Sequence, residues 1–179
     1  IYNKKLVKEP PKSWDVLWDE QYKGKILMFN NPRDAFAIAQ TRLGIDFNSI
    51  NEQDWVKAAE LLAEQKDKVN PVYVMDEVFN LMESGEYALA TYYAGDYVLM
   101  NENNSDLGYC IPEDGVNAFY DAFCIPKCSK NKAGGEAFIN FMQEPEVALA
   151  NSEFIYYRSA NYTVEQNKES SLYGNPAVY

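Results

Sequence analysis

Short apolar segments with strand character alternate with helical segments along this chain. The apolar run 26–29 leads directly into a polar turn, and a helix is expected from there to about Leu43, where Gly44 stops it. Apolar residues at helical spacing predict a second helix at 53–66, and a strand is expected at 71–74. Strands that alternate with helices in this way indicate an α/β domain.

The later part of the chain continues the pattern. We expect a short helix near 75–82, strands at 87–93, 107–112 and 117–125, and helices at 95–100, 132–143 and 145–152. The tail from Asn161 onward is polar and shows no usable periodicity. In α/β sheets, ligands collect at the carboxyl ends of strands, so 29–34, 92–96 and 119–121 are candidate binding segments on one rim.

Composition excludes several classes of function. The formal net charge of -11 argues against a nucleic-acid partner and suits either a cationic ligand or an ordinary water-soluble surface. The chain has no His, which removes the commonest general base and metal ligand. It also shows no nucleophile–base pair, phosphate loop or cofactor fingerprint. We therefore expect neither catalysis, nor a cofactor, nor a metal site.

The three cysteines, Cys110, Cys124 and Cys128, form an odd set. Cys124 and Cys128 lie four positions apart, but no second pair completes a zinc site. Two interpretations stay open. The cysteines could form a disulfide in an oxidising compartment, or they could remain thiols, either buried or free.

The first residues of the chain suggest a piece of a longer protein. Residues 1–5 include no starting Met and no apolar signal region. No apolar run approaches the roughly 20 residues that a membrane-spanning helix needs. We expect an N-terminal portion, including any targeting signal, to precede this chain.

At the candidate segments the chain resembles the spermidine/putrescine-binding proteins of bacterial ABC importers. Motifs similar to theirs follow one another in the same order: Ser13-Trp14 to Lys25, Asn30 to Asp34, Glu83 to Gly95, Phe119-Tyr120-Asp121 with Ile125-Pro126, and Tyr157 before Ser159-Ala160-Asn161. The resemblance covers about residues 1 to 165 and is carried by the order of five motifs rather than by any one of them.

The resemblance implies an α/β fold of the type II periplasmic-binding-protein kind, with a mixed sheet flanked by helices and ligand held between two lobes. Residues 1–118 would form the second lobe, 119–158 a return segment of the first lobe, and 159–179 a tail that crosses back. Roughly the first third of such a protein would be absent. It also implies a polyamine ligand, an ABC permease as partner and an extracytoplasmic location, with membrane association only through the permease or an anchor outside this chain.

A polyamine site needs carboxylates at the spacing of the ammonium groups and aromatic faces along the methylene chain. The resemblance assigns these roles to six residues: Asp121, Phe119, Tyr93, Asp34, Asn31 and Tyr157. Asn31 stands where the family has Asp, and Tyr93 where it has Trp. Phe119 and Asp121 alternate on a predicted strand and would therefore share one face.

Each site residue also has a structural alternative. Phe119 and Tyr93 could instead be core residues. Asp121 could be a turn residue at the end of a strand, and Tyr157 could be an exposed aromatic residue in a loop. Asp34 in a first helical turn complements the helix dipole and closes a capping box with its N-cap residue.

Other functions remain open at the level of sequence. Tyr92-Tyr93 and Tyr156-Tyr157 are similar to the paired tyrosines of related ferric-ion-binding proteins, although Tyr92 and Tyr93 would face opposite ways on a strand and could not both reach one ion unless the strand ends there. An acid–base enzyme that uses Asp34 and Asp121 is a second alternative, and a domain that only binds other proteins is a third.

The return segment is expected to expose an apolar face. Phe123, Ile125, Phe138 and Phe141 would pack on strands of the absent lobe. In this chain alone we expect another copy, a swapped segment or an added chain to cover them, so a homo-oligomer is a candidate state.

Overall fold

The computed structural model describes residues 1–178. The chain divides into two compact units: unit 1 comprises 1–93 and 99–117, and unit 2 comprises 94–98 and the residues from 118 onward. The predicted assignment of 1–118, 119–158 and 159–179 to lobes of a longer protein concerns contacts outside this chain and stays a prediction.

Unit 1 contains a mixed five-stranded sheet. Its strands are β1 (Tyr2–Asn3), β2 (Ile26–Phe29), β3 (Val72–Val74), β4 (Leu89–Ala90) and β5 (Leu107–Gly108), in the spatial order β3-β2-β4-β1-β5. β2 runs parallel to β3 and β4, whereas β1 is antiparallel to β4 and β5. The predicted α/β class with a mixed sheet flanked by helices is confirmed.

The register of the parallel strands fixes the edge where the candidate segments emerge. Leu27 pairs with Val72, and Ile26 pairs with Leu89. The carboxyl ends of β2, β3 and β4 therefore lie at the same edge of the sheet, as predicted for the segments 29–34 and 92–96, whereas 119–121 does not follow a strand.

The helices that include unit 1 residues are α1 (Pro32–Arg42), α2 (Glu52–Val69), α3 (Val78–Glu83) and α4 (Ala94–Asn103), preceded by 3-10 helices at Trp14–Trp18 and Glu20–Tyr22. The predicted start of α1 is correct: the Asn31 side chain accepts a hydrogen bond from the backbone N–H of Arg33 over 3.1 Å, and Pro32 takes the first position. Gly44, at φ 66°, follows the end of the helix.

The core of unit 1 lies around β2. Its four residues are all buried, so both faces of this strand are covered, as is typical of parallel sheets. α2 turns Ala58, Leu61, Leu62, Gln65 and Val69 inward, at helical spacing. Each of the leucine and valine side chains among them contributes about 1.5–3 kcal/mol when fully buried.

Unit 2 is helical. It contains the first residues of α4, then α5 (Lys132–Met142), α6 (Pro145–Ile155) and α7 (Tyr162–Glu165). The Asn131 side chain accepts a hydrogen bond from the backbone N–H of Gly134 over 3.0 Å, so the adjacent glycines Gly134 and Gly135 belong to the start of α5. The sequence pattern gave no prediction for α7.

Three predicted strands need correction. The segments 87–93 and 107–112 contain only Leu89–Ala90 and Leu107–Gly108, and 117–125 forms no strand. Within 117–125, Asn117 and Ile125 are half-buried and residues 118–124 are all exposed. A strand requires a hydrogen-bonded neighbour, and the described part of the chain supplies none there.

The cysteines are free thiols in this structure: Cys110 is half-buried, and Cys124 and Cys128 are exposed. Burial raises the pKa of the Cys110 thiol above its usual value. Among residues 1–178, no helix combines the length and the apolar character needed to cross a bilayer.

Candidate functional site

The most enclosed polar group at the predicted rim is the Asp34 carboxylate. Asp34 lies in the first turn of α1 and is only 7% exposed. Its Oδ2 atom accepts hydrogen bonds from Asn31 Nδ2 over 2.6 Å and from the Tyr93 hydroxyl over 2.9 Å. Its Oδ1 atom accepts one from Asn117 Nδ2 over 3.2 Å. We call these four residues the Asp34 cluster.

All three donors in the Asp34 cluster are neutral side chains. No Lys or Arg within residues 1–178 forms an ion pair with Asp34. A buried carboxylate is stabilised by such hydrogen bonds, but its charge stays without a cationic partner. The cluster is therefore suited to accept a cation.

Tyr93 belongs to an aromatic group that continues from the cluster. Its ring centroid lies 5.0 Å from that of Phe29 and 4.9 Å from that of Tyr92. Phe79 meets the Tyr92 ring edge-on at 6.0 Å. Ring faces beside a carboxylate favour an ammonium group with methylenes attached.

The expectation that Tyr92 and Tyr93 face opposite ways on a strand is wrong, because β4 ends at Ala90. The two hydroxyls nevertheless bind different carboxylates: that of Tyr92 donates to Asp76 Oδ1 over 3.1 Å, and that of Tyr93 to Asp34. This arrangement does not favour two phenolates on one iron ion. Within residues 1–178 there is also no group of three or more Cys, Asp and Glu side chains placed to hold a metal.

Sequence reasoning brought Asp34, Asn31 and Tyr93 together correctly, from the ends of neighbouring strands, but it missed Asn117. That residue is 83 positions from Asp34, and no local pattern marks it. The turn before Asn117 is held in place by Trp14. The Trp14 backbone N–H donates to Asp114 Oδ2 over 2.7 Å, and its indole N–H donates to the Gly115 carbonyl over 2.8 Å.

In unit 2, the Tyr157 hydroxyl donates a hydrogen bond to Asp96 Oδ2 over 3.0 Å. Tyr157 is half-buried, so the structure does not support the alternative in which it is an exposed aromatic residue in a loop. Asp96, which the sequence indicates only as a helix-start residue within the segment 92–96, is the half-buried carboxylate partner of a predicted site residue. Its position three residues after Tyr93 was the available signal.

The remaining predicted residues, Phe119 and Asp121, lie in the extended segment that forms no strand. Phe119 is 48% exposed, and Asp121 is exposed. The argument that they share one strand face is wrong for this reason, and Phe119 does not belong to the core of unit 2. Their role as ligand residues stays a prediction.

A second surface of unit 2 is apolar. Phe123, Phe138 and Phe141 are 54%, 53% and 51% exposed, and we call them the phenylalanine face. The Phe123 and Phe138 rings meet edge-on at 5.8 Å. α5 has no buried residue, although its sequence is strongly apolar on one side. The predicted exposure of these three rings is confirmed, whereas Ile125 is half-buried.

Comparison with known proteins gives consistent relatives. The chain is 25% identical over 182 residues to a putrescine-binding periplasmic protein of Escherichia coli (strain K12). This match covers 95% of the chain and 49% of that protein. It is 26% identical over 167 residues to a spermidine/putrescine-binding periplasmic protein of Salmonella typhimurium, with 93% and 48% covered. The chain thus spans about half the length of these relatives.

Solved structures agree on the fold. A putative spermidine/putrescine ABC transporter from Listeria monocytogenes is similar with a TM-score of 0.82 and 32% identity, over 90% of this chain and 50% of that one. A spermidine/putrescine ABC transporter substrate-binding protein from Streptococcus pneumoniae, solved with calcium and HEPES, is similar with a TM-score of 0.72 and 29% identity. The match covers 94% of this chain and 53% of that one.

A family model described as bacterial extracellular solute-binding protein matches residues 1–176, which is nearly the whole chain. This class consists of binding proteins rather than enzymes. Together with the mixed sheet and the rim of polar side chains, the match shows that the chain belongs to the family of bacterial extracellular solute-binding proteins.

Proposed function

We propose that this chain is part of the substrate-binding component of an ABC importer and that its ligand is a polyamine, putrescine or spermidine. The observation that carries the proposal is the buried Asp34 carboxylate, held by neutral donors next to the rings of Tyr93 and Phe29. A dication with a methylene chain matches a carboxylate beside aromatic faces. The names of the relatives point to the same ligand class.

The ligand residues that we propose are those of the sequence prediction, with two additions. Asp34, Asn31 and Tyr93 would receive one ammonium group, and Asn117 supports them. Asp121, Phe119 and Tyr157 are proposed as further contacts, and Asp96 joins them through its bond to Tyr157. In the longer protein, the ligand would lie in a cleft between two lobes.

The location and partners follow from the same proposal. The relatives named above are periplasmic proteins, and we propose an extracytoplasmic location for this one, with an ABC permease as its partner. The phenylalanine face would pack on the other lobe of the longer protein. No nucleic-acid partner is proposed, because the net charge of -11 opposes phosphate binding.

Isothermal titration of the full-length protein with putrescine and with spermidine tests the proposal. We expect saturable heat with at least one of the two amines, with competition between them. Absence of heat and of competition with both amines, while another class of solute binds, would count against a polyamine ligand.

A further inference from the structure

The hydrogen bonds on Asp34 are distributed unevenly between its two oxygens. A carboxylate has about four acceptor positions, two on each oxygen. Oδ2 already accepts from Asn31 and Tyr93, at 2.6 and 2.9 Å, whereas Oδ1 accepts from a single donor among residues 1–178, Asn117, at 3.2 Å. One acceptor position is therefore open, and it is on Oδ1.

Ammonium and guanidinium groups make different demands on a carboxylate. A guanidinium is planar and binds best through two parallel N–H bonds, one to each oxygen. An ammonium is a compact charge that binds through a single N–H to one oxygen. We infer, building on the proposed function, that Asp34 takes a primary ammonium and rejects a guanidinium, because its protein donors leave an acceptor position on Oδ1 alone.

The donors on Oδ2 are not easily displaced. The Asn31 side chain also accepts the hydrogen bond that starts α1, and the Tyr93 ring packs against Phe29 at 5.0 Å. Asp34 itself is only 7% exposed, and Asn31 and Tyr93 are half-buried, so a donor that loses this acceptor is only partly solvated. A guanidinium that bound both oxygens would leave one of these half-buried donors without its acceptor, which is costly.

The test compares two ligands of equal chain length. Putrescine carries an ammonium at each end, and diguanidinobutane carries a guanidinium at each end. Titration calorimetry on the full-length protein should show putrescine bound at least about tenfold more tightly. Tyr93→Phe keeps the ring but opens a position on Oδ2. It should lower the ratio between the dissociation constants of diguanidinobutane and putrescine by at least about threefold. Asn31→Ser, which keeps an N-cap hydroxyl but lacks the amide donor, should narrow it as well.

Asn117→Ala is the matched control. It removes a donor from Oδ1 and leaves Oδ2 with both of its partners, so the preference for putrescine should stay unchanged even if both ligands bind more weakly. Two results would overturn the inference and leave the proposed function standing. One is equal affinity of the unaltered protein for the two ligands, and the other is an unchanged preference for putrescine in folded Tyr93→Phe and Asn31→Ser. If neither ligand nor spermidine binds, the proposed function fails and the inference falls with it.

Discussion

The hydroxyl of Tyr157 donates a hydrogen bond to the carboxylate of Asp96 across 61 positions of sequence. The two residues meet because Gly95 lets the chain around Tyr157 approach the first turn of α4. A Cβ atom on Gly95 would lie 2.6 Å from the Tyr156 carbonyl oxygen and 2.6 Å from the Tyr157 ring. This glycine is required by close packing within unit 2.

Gly95→Ala should therefore destabilise unit 2, although Ala normally favours a helix. We expect a loss of about 1–3 kcal/mol, because the added methyl group meets backbone and a packed ring. Gly135→Ala in α5 is the control: the three atoms nearest to its Cβ atom would all belong to the Ile125 side chain, the first at 3.0 Å, and the helix gains up to about 1 kcal/mol from Ala. Urea unfolding measures both changes. Equal effects in the two variants would contradict the packing argument.

Asp121→Asn should weaken polyamine binding by about 1.4 kcal/mol or more, which is at least about tenfold in the dissociation constant. The physical reason is the loss of a charge-assisted hydrogen bond to an ammonium group. Titration calorimetry on the full-length protein provides the measurement. Glu113→Gln removes the charge of another exposed carboxylate, one outside the proposed site, and should change the affinity much less. Unchanged affinity in Asp121→Asn would remove this carboxylate from the site.

The features that could be predicted from the sequence are those fixed by neighbouring residues. Asn31, Pro32 and Gly44 mark the two ends of α1 because capping, the proline ring and positive φ act within a few positions. The rim that joins Asn31 and Asp34 to Tyr93 follows from the alternation of strands and helices, since parallel strands end at one edge.

The features that sequence could not supply depend on distant partners. The segment 117–125 has a composition typical of a strand, but within residues 1–178 no strand pairs with it. Asn117 completes the Asp34 cluster from beside a turn that hydrogen bonds to Trp14, about a hundred positions away, hold in place. The Asp96–Tyr157 bond is of the same kind. Such contacts are decided by tertiary packing, for which a single sequence carries no local signal.

Glu153 makes the stability of unit 2 depend on pH. The backbone N–H of Ser171, followed by the Ser170 and Ser171 hydroxyls, lowers the pKa of this carboxyl below its usual value of 4.5. A lowered folded-state pKa means that the ionised form stabilises the fold at pH above 4.5 and that this contribution is lost as the pH falls through the folded-state pKa.

Glu153→Gln should accordingly lower the free energy of unfolding at neutral pH, by less than about 1 kcal/mol because the group is largely solvated. The difference from the unaltered chain should shrink as the pH falls below about 4.5. Urea unfolding at neutral pH and at about pH 3 measures it. Glu146→Gln, on the same helix, controls for the loss of one charge. A difference that stayed constant across this range would show that the serine contacts do not act through the charge.

The phenylalanine face should make the 179-residue chain self-associate in solution. Three half-exposed rings on one unit are an apolar surface that water does not favour, and burial against a second copy is worth about 25 cal/mol per Å². Multi-angle light scattering should show a mass above that of the 20.5 kDa monomer, rising with concentration. Phe138→Ser combined with Phe141→Ser should shift the distribution toward monomer, because both rings leave the face. Phe154→Ser, which removes an 84% exposed ring on α6, should not. A concentration-independent monomer for the unaltered chain would show that these rings are tolerated in water and do not recruit a second copy.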